Sequence, residues 1–218
     1  MCRFLLFKSD SPKNPQKIIK AFSKMAKKSK AFDGDWQGDG WGISWLENNN
    51  WKSHKSIKPI WEDDIKDTII SPTRIFLIHA RSASFPQHKN NKEYNQPFFD
   101  SNNSFVFNGL IRGASLQLSG AIGSQKIWSL VQKKLLTMSP KNALKDALTA
   151  LIKNSRVVQA LNIGIADKKY IYALCYYSNH KDYYSLHYSK TADVSIISSE
   201  PIDGFHFTPL LKGEMVKF

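Results

Sequence analysis

The run Arg74-Ile75-Phe76-Leu77-Ile78-His79-Ala80 constrains the fold of this chain more than any other segment. It is almost continuously apolar, so it lacks the wet and dry faces of a surface strand and reads as a strand buried on both faces. Further strand patterns flank it. Residues 2–8 form a short strand that places the amino terminus inside the protein. Gly38-Asp39-Gly40 punctuates a turn into the aromatic strand Trp41-Gly42-Ile43-Ser44-Trp45-Leu46-Glu47, Asn48-Asn49-Asn50 makes a hairpin, and Trp51-Lys52-Ser53-His54 returns. Residues 104–111 read as a strand broken by an Asn108-Gly109 turn, and 159–167, 169–177, 184–189 and 194–198 supply more strands. Helical periodicity covers 62–70, 124–137 and 141–153, the last introduced by Ser139-Pro140 as cap and first-turn proline. Strands at both ends with helices between them predict a layered α+β domain.

At 218 residues and 42% hydrophobic, the chain suffices for one well-packed domain over residues 2–218. No apolar run approaches the roughly 20 residues needed to span a bilayer, and the opening apolar stretch is too short for a signal peptide. Two cysteines make no disulfide framework. Cys175, within Ile171-Tyr172-Ala173-Leu174-Cys175-Tyr176-Tyr177, reads as a small residue in a buried strand. A cytoplasmic location is expected.

The formal net charge of +13 raises the question of nucleic acid. However, Lys17, Lys20, Lys24, Lys27, Lys28 and Lys30 surround Ile18, Ile19, Phe22, Met25 and Ala26 at helical spacing, which describes an amphipathic helix with a solvated basic face. The other lysines are scattered and accompany no nucleic-acid-binding signature, so no nucleic-acid partner is expected. No His/Cys cluster has metal-ligand spacing and no glycine loop suits a phosphate, so no metal and no cofactor are expected.

Cys2 carries the chemistry. It follows Met1 directly and is small enough for that methionine to be trimmed. Trimming leaves one residue with a thiol nucleophile and an α-amine of pKa roughly 7.7–8.0 that can act as its base. An acyl carbon is the natural target of such a pair.

Read together, Met1-Cys2-Arg3, Asp39-Gly40-Trp41-Gly42-Ile43, His79-Ala80-Arg81-Ser82-Ala83-Ser84, Gln96-Pro97-Phe98, Asn108-Gly109 and Ser198-Ser199-Glu200-Pro201 occur in an order and spacing that resemble class II glutamine amidotransferases, and Pro59-Ile60-Trp61-Glu62-Asp63 resembles a segment of one stand-alone amidohydrolase among them. These belong to the N-terminal nucleophile (Ntn) hydrolases. The likeness is strongest to the stand-alone group containing predicted bacterial amidotransferases and the γ-glutamyl amidohydrolase of ergothioneine biosynthesis. The resemblance implies a four-layer αββα sandwich, two packed antiparallel sheets flanked by helices. It also implies that Cys2 attacks the side-chain amide of glutamine or a γ-glutamyl compound and passes through a thioester. In this reading Asn108 and Gly109 supply the oxyanion donors and Arg81 holds the substrate carboxylate through its planar fork. His79 is expected to be structural, and Asp39, Gly40 and Trp41 to shape the wall near the nucleophile. No acceptor module is expected within the chain, so ammonia either passes to a separate partner protein or hydrolysis is itself the reaction.

Two positions depart from the family pattern. Phe107 stands where a histidine usually precedes Asn-Gly. Gly123, in Gly123-Ser124-Gln125, stands where an aspartate usually binds the substrate's α-ammonium. Either another acid substitutes, or the substrate is not free glutamine. A catalytically altered relative that binds a ligand or protein in the same pocket is the alternative reading.

Overall fold

Strand β1 (Arg3–Lys13) is apolar on both sides from Phe4 to Phe7, and the computed structural model, which describes residues 2–29, 31–64 and 71–218, shows why. Phe4 and Leu6 point into one apolar cluster, Leu5 and Phe7 into another. Strand β4 (Thr73–Ala80) pairs with β1 antiparallel and divides in the same way: Ile75 and Leu77 face the first cluster, Phe76 and Ile78 the second. The run that reads as buried on both faces is so.

Helix α1 (Gln16–Lys28) covers the outer face of this sheet through Ile18, Ile19, Phe22, Met25 and Ala26, and its lysines stay outside. Strands β2 (Trp41–Glu47) and β3 (Asn50–Ser56) form the expected hairpin. Its turn residues Asn48 and Asn49 have φ of 48° and 62°, the left-handed conformations that a tight hairpin of this twist requires and that asparagine tolerates.

The second sheet contains β5 (Phe98–Phe99), β6 (Ser104–Ala114), β7 (Ser155–Ala166), β8 (Ile171–Leu174) and, from the C-terminus, β12 (Met215–Lys217). Helices α2 (Gly123–Leu135) and α3 (Pro140–Lys153) pack on its outer face against Phe105, Phe107, Leu161, Ile163 and Ile165. The remaining strands, β9 (His187–Lys190), β10 (Val194–Ser198) and β11 (Thr208–Pro209), complete the first sheet, and the turn α4 (Lys181–Tyr184) precedes β9. Among the described residues the orders are β11-β9-β10-β1-β4-β2-β3 and β12-β8-β7-β6-β5, all antiparallel. The layers are α, β, β, α, as the resemblance implies.

The two sheets meet across small residues. On β7 the inward positions are Ala160, Asn162, Gly164 and Ala166, whereas the outward ones are large. A Cβ on Gly164 would lie 2.5 Å from Leu6 Cδ1 and 2.8 Å from Val106 Cγ2, so a side chain there would push both facing side chains out of place.

Three expectations need revision. Asn108-Gly109 is not a turn: β6 runs straight through it, with Asn108 opposite Asn162 and Gly109 opposite Leu161. The dipeptide is a hairpin signal only when local preference decides, and here the long ladder with β7 overrides it. The glycine serves a close approach instead, since a Cβ there would come within 2.1 Å of the Ala160 carbonyl oxygen. The strand expected over 184–189 begins later, because 181–184 form α4. The helix expected over 62–70 falls largely on residues outside the described ones; Ile60–Glu62 form a single 3₁₀ turn. Among the described residues no helix is long and apolar enough to cross a membrane.

Candidate active site

Cys2 precedes β1 by one residue, and the alternation that sends Phe4 and Leu6 inward sends its side chain to the same face. It opens into a cavity of about 320 Å³ at one end of the space between the sheets. Arg81, immediately after β4, lines this cavity, as do Asn108 and Gly109 from β6 and Gly123 from the start of α2. Residues at positions 2, 81, 108 and 109, singled out in the sequence, therefore converge on one cavity.

The thiol is held by main chain. Cys2 Sγ lies 3.6 Å from the Ser82 carbonyl oxygen and accepts the Ser82 N–H at 3.4 Å. The residue is open towards the cavity, yet protein atoms ring the sulfur. That burial pushes the thiol above its ordinary value, against the opposing pull of nearby positive charge that includes Arg81.

The start of β1 is fixed by Arg3, which is 3% exposed. Its guanidinium donates to Ser29 Oγ at 2.7 Å and to the Tyr183 carbonyl at 3.0 Å, pairs with Glu200 Oε2 at 3.0 Å, and lies 3.9 Å from the Tyr183 ring centroid. Ser199 Oγ accepts the Phe4 N–H at 2.9 Å. These bonds give the Ser198-Ser199-Glu200-Pro201 motif a structural role: it grips the chain directly after Cys2.

Arg81 is 5% exposed. It donates from Nη2 to the His88 carbonyl at 2.7 Å and from Nη1 to Asn95 Oδ1 at 3.3 Å, which leaves other N–H groups of the fork for a ligand. Asn95 in turn donates to the Ser56 carbonyl at 2.7 Å. It can sit there because Gly40, at φ 112°, carries no side chain: a Cβ would meet Asn95 Nδ2 at 2.4 Å. Asp39 accepts the Ala83 N–H at 2.8 Å and pairs with Lys89 at 3.0 Å, so it braces the loop beside the thiol. Trp41 does not line the cavity. It is buried against α1 and donates to Asp63 Oδ2 at 3.0 Å, because β2 turns this face to the outer cluster.

Asn108 is 1% exposed, and neither its Oδ1 nor its Nδ2 has a hydrogen-bond partner. Its strand is held from the other side by Gln96, whose Oε1 accepts the Phe107 N–H at 2.6 Å and whose Nε2 donates to the Phe107 carbonyl at 3.1 Å. Gln96 Nε2 also faces His79 Nε2 at 3.2 Å, which makes that imidazole nitrogen the acceptor. Burial, then the Arg81 charge, depresses His79 from 6.5 to about 3, so it stays neutral and supports Gln96. Phe107 itself packs in the outer cluster and also borders the cavity. Cys175 is fully buried, with burial raising its thiol to about 11, as suits an inert core residue. Among the described residues no group of three or more His, Cys, Asp or Glu could hold a metal ion.

No family model matches the chain. No curated protein matches it by sequence. Solved structures do match. A glutamine aminotransferase class-II domain protein from Silicibacter pomeroyi superposes with a TM-score of 0.69 at 19% identity, over 99% of this chain and 94% of that one. Glutamine phosphoribosylpyrophosphate amidotransferase from B. subtilis gives 0.72 at 15% identity, over 100% of this chain but 47% of the larger enzyme. A predicted glutamine amidotransferase from Pseudomonas aeruginosa gives 0.53 at 15%, over 100% and 93%. At such low identity these likenesses speak to architecture, and the chain has the αββα fold of class II glutamine amidotransferase domains.

Proposed function

We propose that this protein is a cysteine-dependent amidohydrolase that cleaves a side-chain amide of the glutamine or γ-glutamyl type, with residues 2–218 acting as one domain. One observation carries the reading: the Cys2 sulfur, an unpartnered buried carboxamide at Asn108 and the guanidinium of Arg81 share a single cavity. Its size, about 320 Å³, suits a small molecule.

Burial favours the protonated thiol, so the nucleophile needs a base. Removal of Met1 supplies one on the same residue, the Cys2 α-amine. That amine takes the thiol proton, and the sulfur bonds to the amide carbon. The tetrahedral oxyanion is received by the Asn108 Nδ2 donors and the Gly109 N–H. The C–N bond then breaks, the α-ammonium returns a proton to the leaving nitrogen, and ammonia departs. Water adds to the thioester, the C–S bond breaks, and the thiol is restored. The net reaction is amide plus water to carboxylic acid plus ammonia. Arg81 holds the carboxylate at the far end of the acyl chain through parallel hydrogen bonds. Ammonia is released to solution or to a separate acceptor protein.

Intact mass spectrometry of the protein incubated with a panel of side-chain amides tests this. The expected result is a mass lacking Met1, an acyl adduct on Cys2 and ammonia release, with adduct and release both lost in Cys2→Ala. Active protein that retains Met1 would sink the mechanism.

A further inference from the structure

A free amino acid brings two opposite charges into a site, and the walls of this cavity answer only one of them. The ionisable side chains along it include Arg81, Arg112 at the rim and His88, and among the described lining residues there is no aspartate or glutamate. The neighbouring carboxylates serve the chain itself and do not line the cavity. Asp35 Oδ2 accepts Ser82 Oγ at 2.6 Å, and Asp39 takes the Ala83 N–H and the Lys89 ammonium. Helix α2 begins at the cavity wall with Gly123 and Ser124 and has no acidic residue in its first turn to offset the positive end of its dipole. A Cβ built on Gly123 meets nothing within 4 Å, which leaves room at this wall, while Phe85, Phe107, Ile122 and Ile127 add apolar surface.

From this arrangement we infer that the substrate is an amide whose acyl half carries a carboxylate but no free ammonium, either the monoamide of a dicarboxylic acid or an Nα-acylated glutamine. The carboxylate meets the buried Arg81 fork. A free ammonium would be desolvated beside guanidinium groups and a helix N-terminus without a counter-charge, an arrangement that costs binding. The inference rests on the amidohydrolase reading for the orientation of the acyl half in the cavity.

Calorimetric titration of full-length Cys2→Ala protein separates the two. The ligands are glutaric acid monoamide, Nα-acetyl-L-glutamine and L-glutamine. At least one of the first two is expected to bind about tenfold or more tightly than glutamine. The stronger of the pair reports whether the open wall at Gly123 receives an acyl group or only water. A smaller preference, a preference for glutamine, or no binding by either amine-free ligand overturns the inference. Gly123→Asp, placed where added atoms meet open space, is expected to shift the ratio towards glutamine by about tenfold; an unchanged ratio also overturns it. Ammonia release by the unmodified enzyme from the same three amides reads the other question. Preferential binding without any release defeats the proposed activity and leaves standing only the preference of the cavity for a carboxylate without an ammonium. Release from glutamine as efficient as from the others does the opposite.

Discussion

Asn108 and Asn162 face each other across the β6–β7 ladder, the same side chain on the same face of one sheet. Their hydrogen bonding is opposite. Asn162 Nδ2 donates to the Tyr184 carbonyl and its Oδ1 accepts the Tyr176 N–H at 3.0 Å, so this amide ties β7 to the segment around α4. Asn108 is equally buried and makes no such bond. A buried polar group without a partner costs about 1–3 kcal/mol, and folded proteins contain few of them. The difference teaches where stability and chemistry divide: Asn162 has its donors and acceptors committed to the fold, whereas Asn108 holds its own towards a cavity in which the Cys2 thiol also lies.

Substitution can break this comparison. Asn108→Ala is expected to lower kcat/KM by about 10²–10³, or roughly 2.7–4 kcal/mol of transition-state stabilisation, with the thermal midpoint unchanged or raised. Steady-state ammonia release and a thermal melt on one preparation check both halves. Asn162→Ala should do the reverse. It strands the part-buried Tyr176 N–H and takes the stronger of two donors from the buried Tyr184 carbonyl, so about 2–3 kcal/mol of stability is lost, which at this chain length lowers the midpoint by roughly 2–4 °C per kcal/mol. A fall in rate without a fall in midpoint would contradict its structural role. Gly109→Ala sharpens the contrast between the two residues of the dipeptide. Its methyl would meet the Ala160 carbonyl, so β6 must shift, at about 1–3 kcal/mol of stability, with loss of rate as Asn108 moves with it.

A pH effect sharpens the comparison further, through the support behind Asn108. His79 is neutral in the fold down to a pKa of about 3, whereas in the unfolded chain it titrates near 6.5. Above pH 6.5 both states are neutral and the group has no influence. Below it the unfolded chain takes up a proton first, so stability falls by about 1.4 kcal/mol per pH unit until about pH 3. Urea midpoints at pH 7 and pH 5 should show this slope, and His79→Gln should remove its share.

Much of the fold is legible without coordinates because burial leaves a pattern. The apolar run over 74–80 has no polar alternation, and the lysine-flanked stretch over 17–28 has helical spacing; both became what their periodicity required. The Asn108-Gly109 dipeptide carries a turn signal that the fold does not use, for the complementary reason. Hairpin preference is a property of a few adjacent residues, and the ladder that overrode it joins β6 to a strand some fifty positions away. The grip of Ser199 and Glu200 on the chain around Cys2 was hidden likewise, since nothing local marks a partner at the other terminus.

The amino-acid sequence by itself determined which segments must be buried on both faces, which helix shows a charged side to water, and which residues have reactive chemistry. Those properties reside in single side chains and short periods. Only the tertiary structure decided that residues 2, 81, 108 and 123 border one space, that this space has cationic walls without a carboxylate among the described residues, and that one of two facing asparagines has no partner. The physical reason is that electrostatic environment and hydrogen-bond satisfaction belong to arrangements of distant atoms, which exist only once the two sheets have closed on each other.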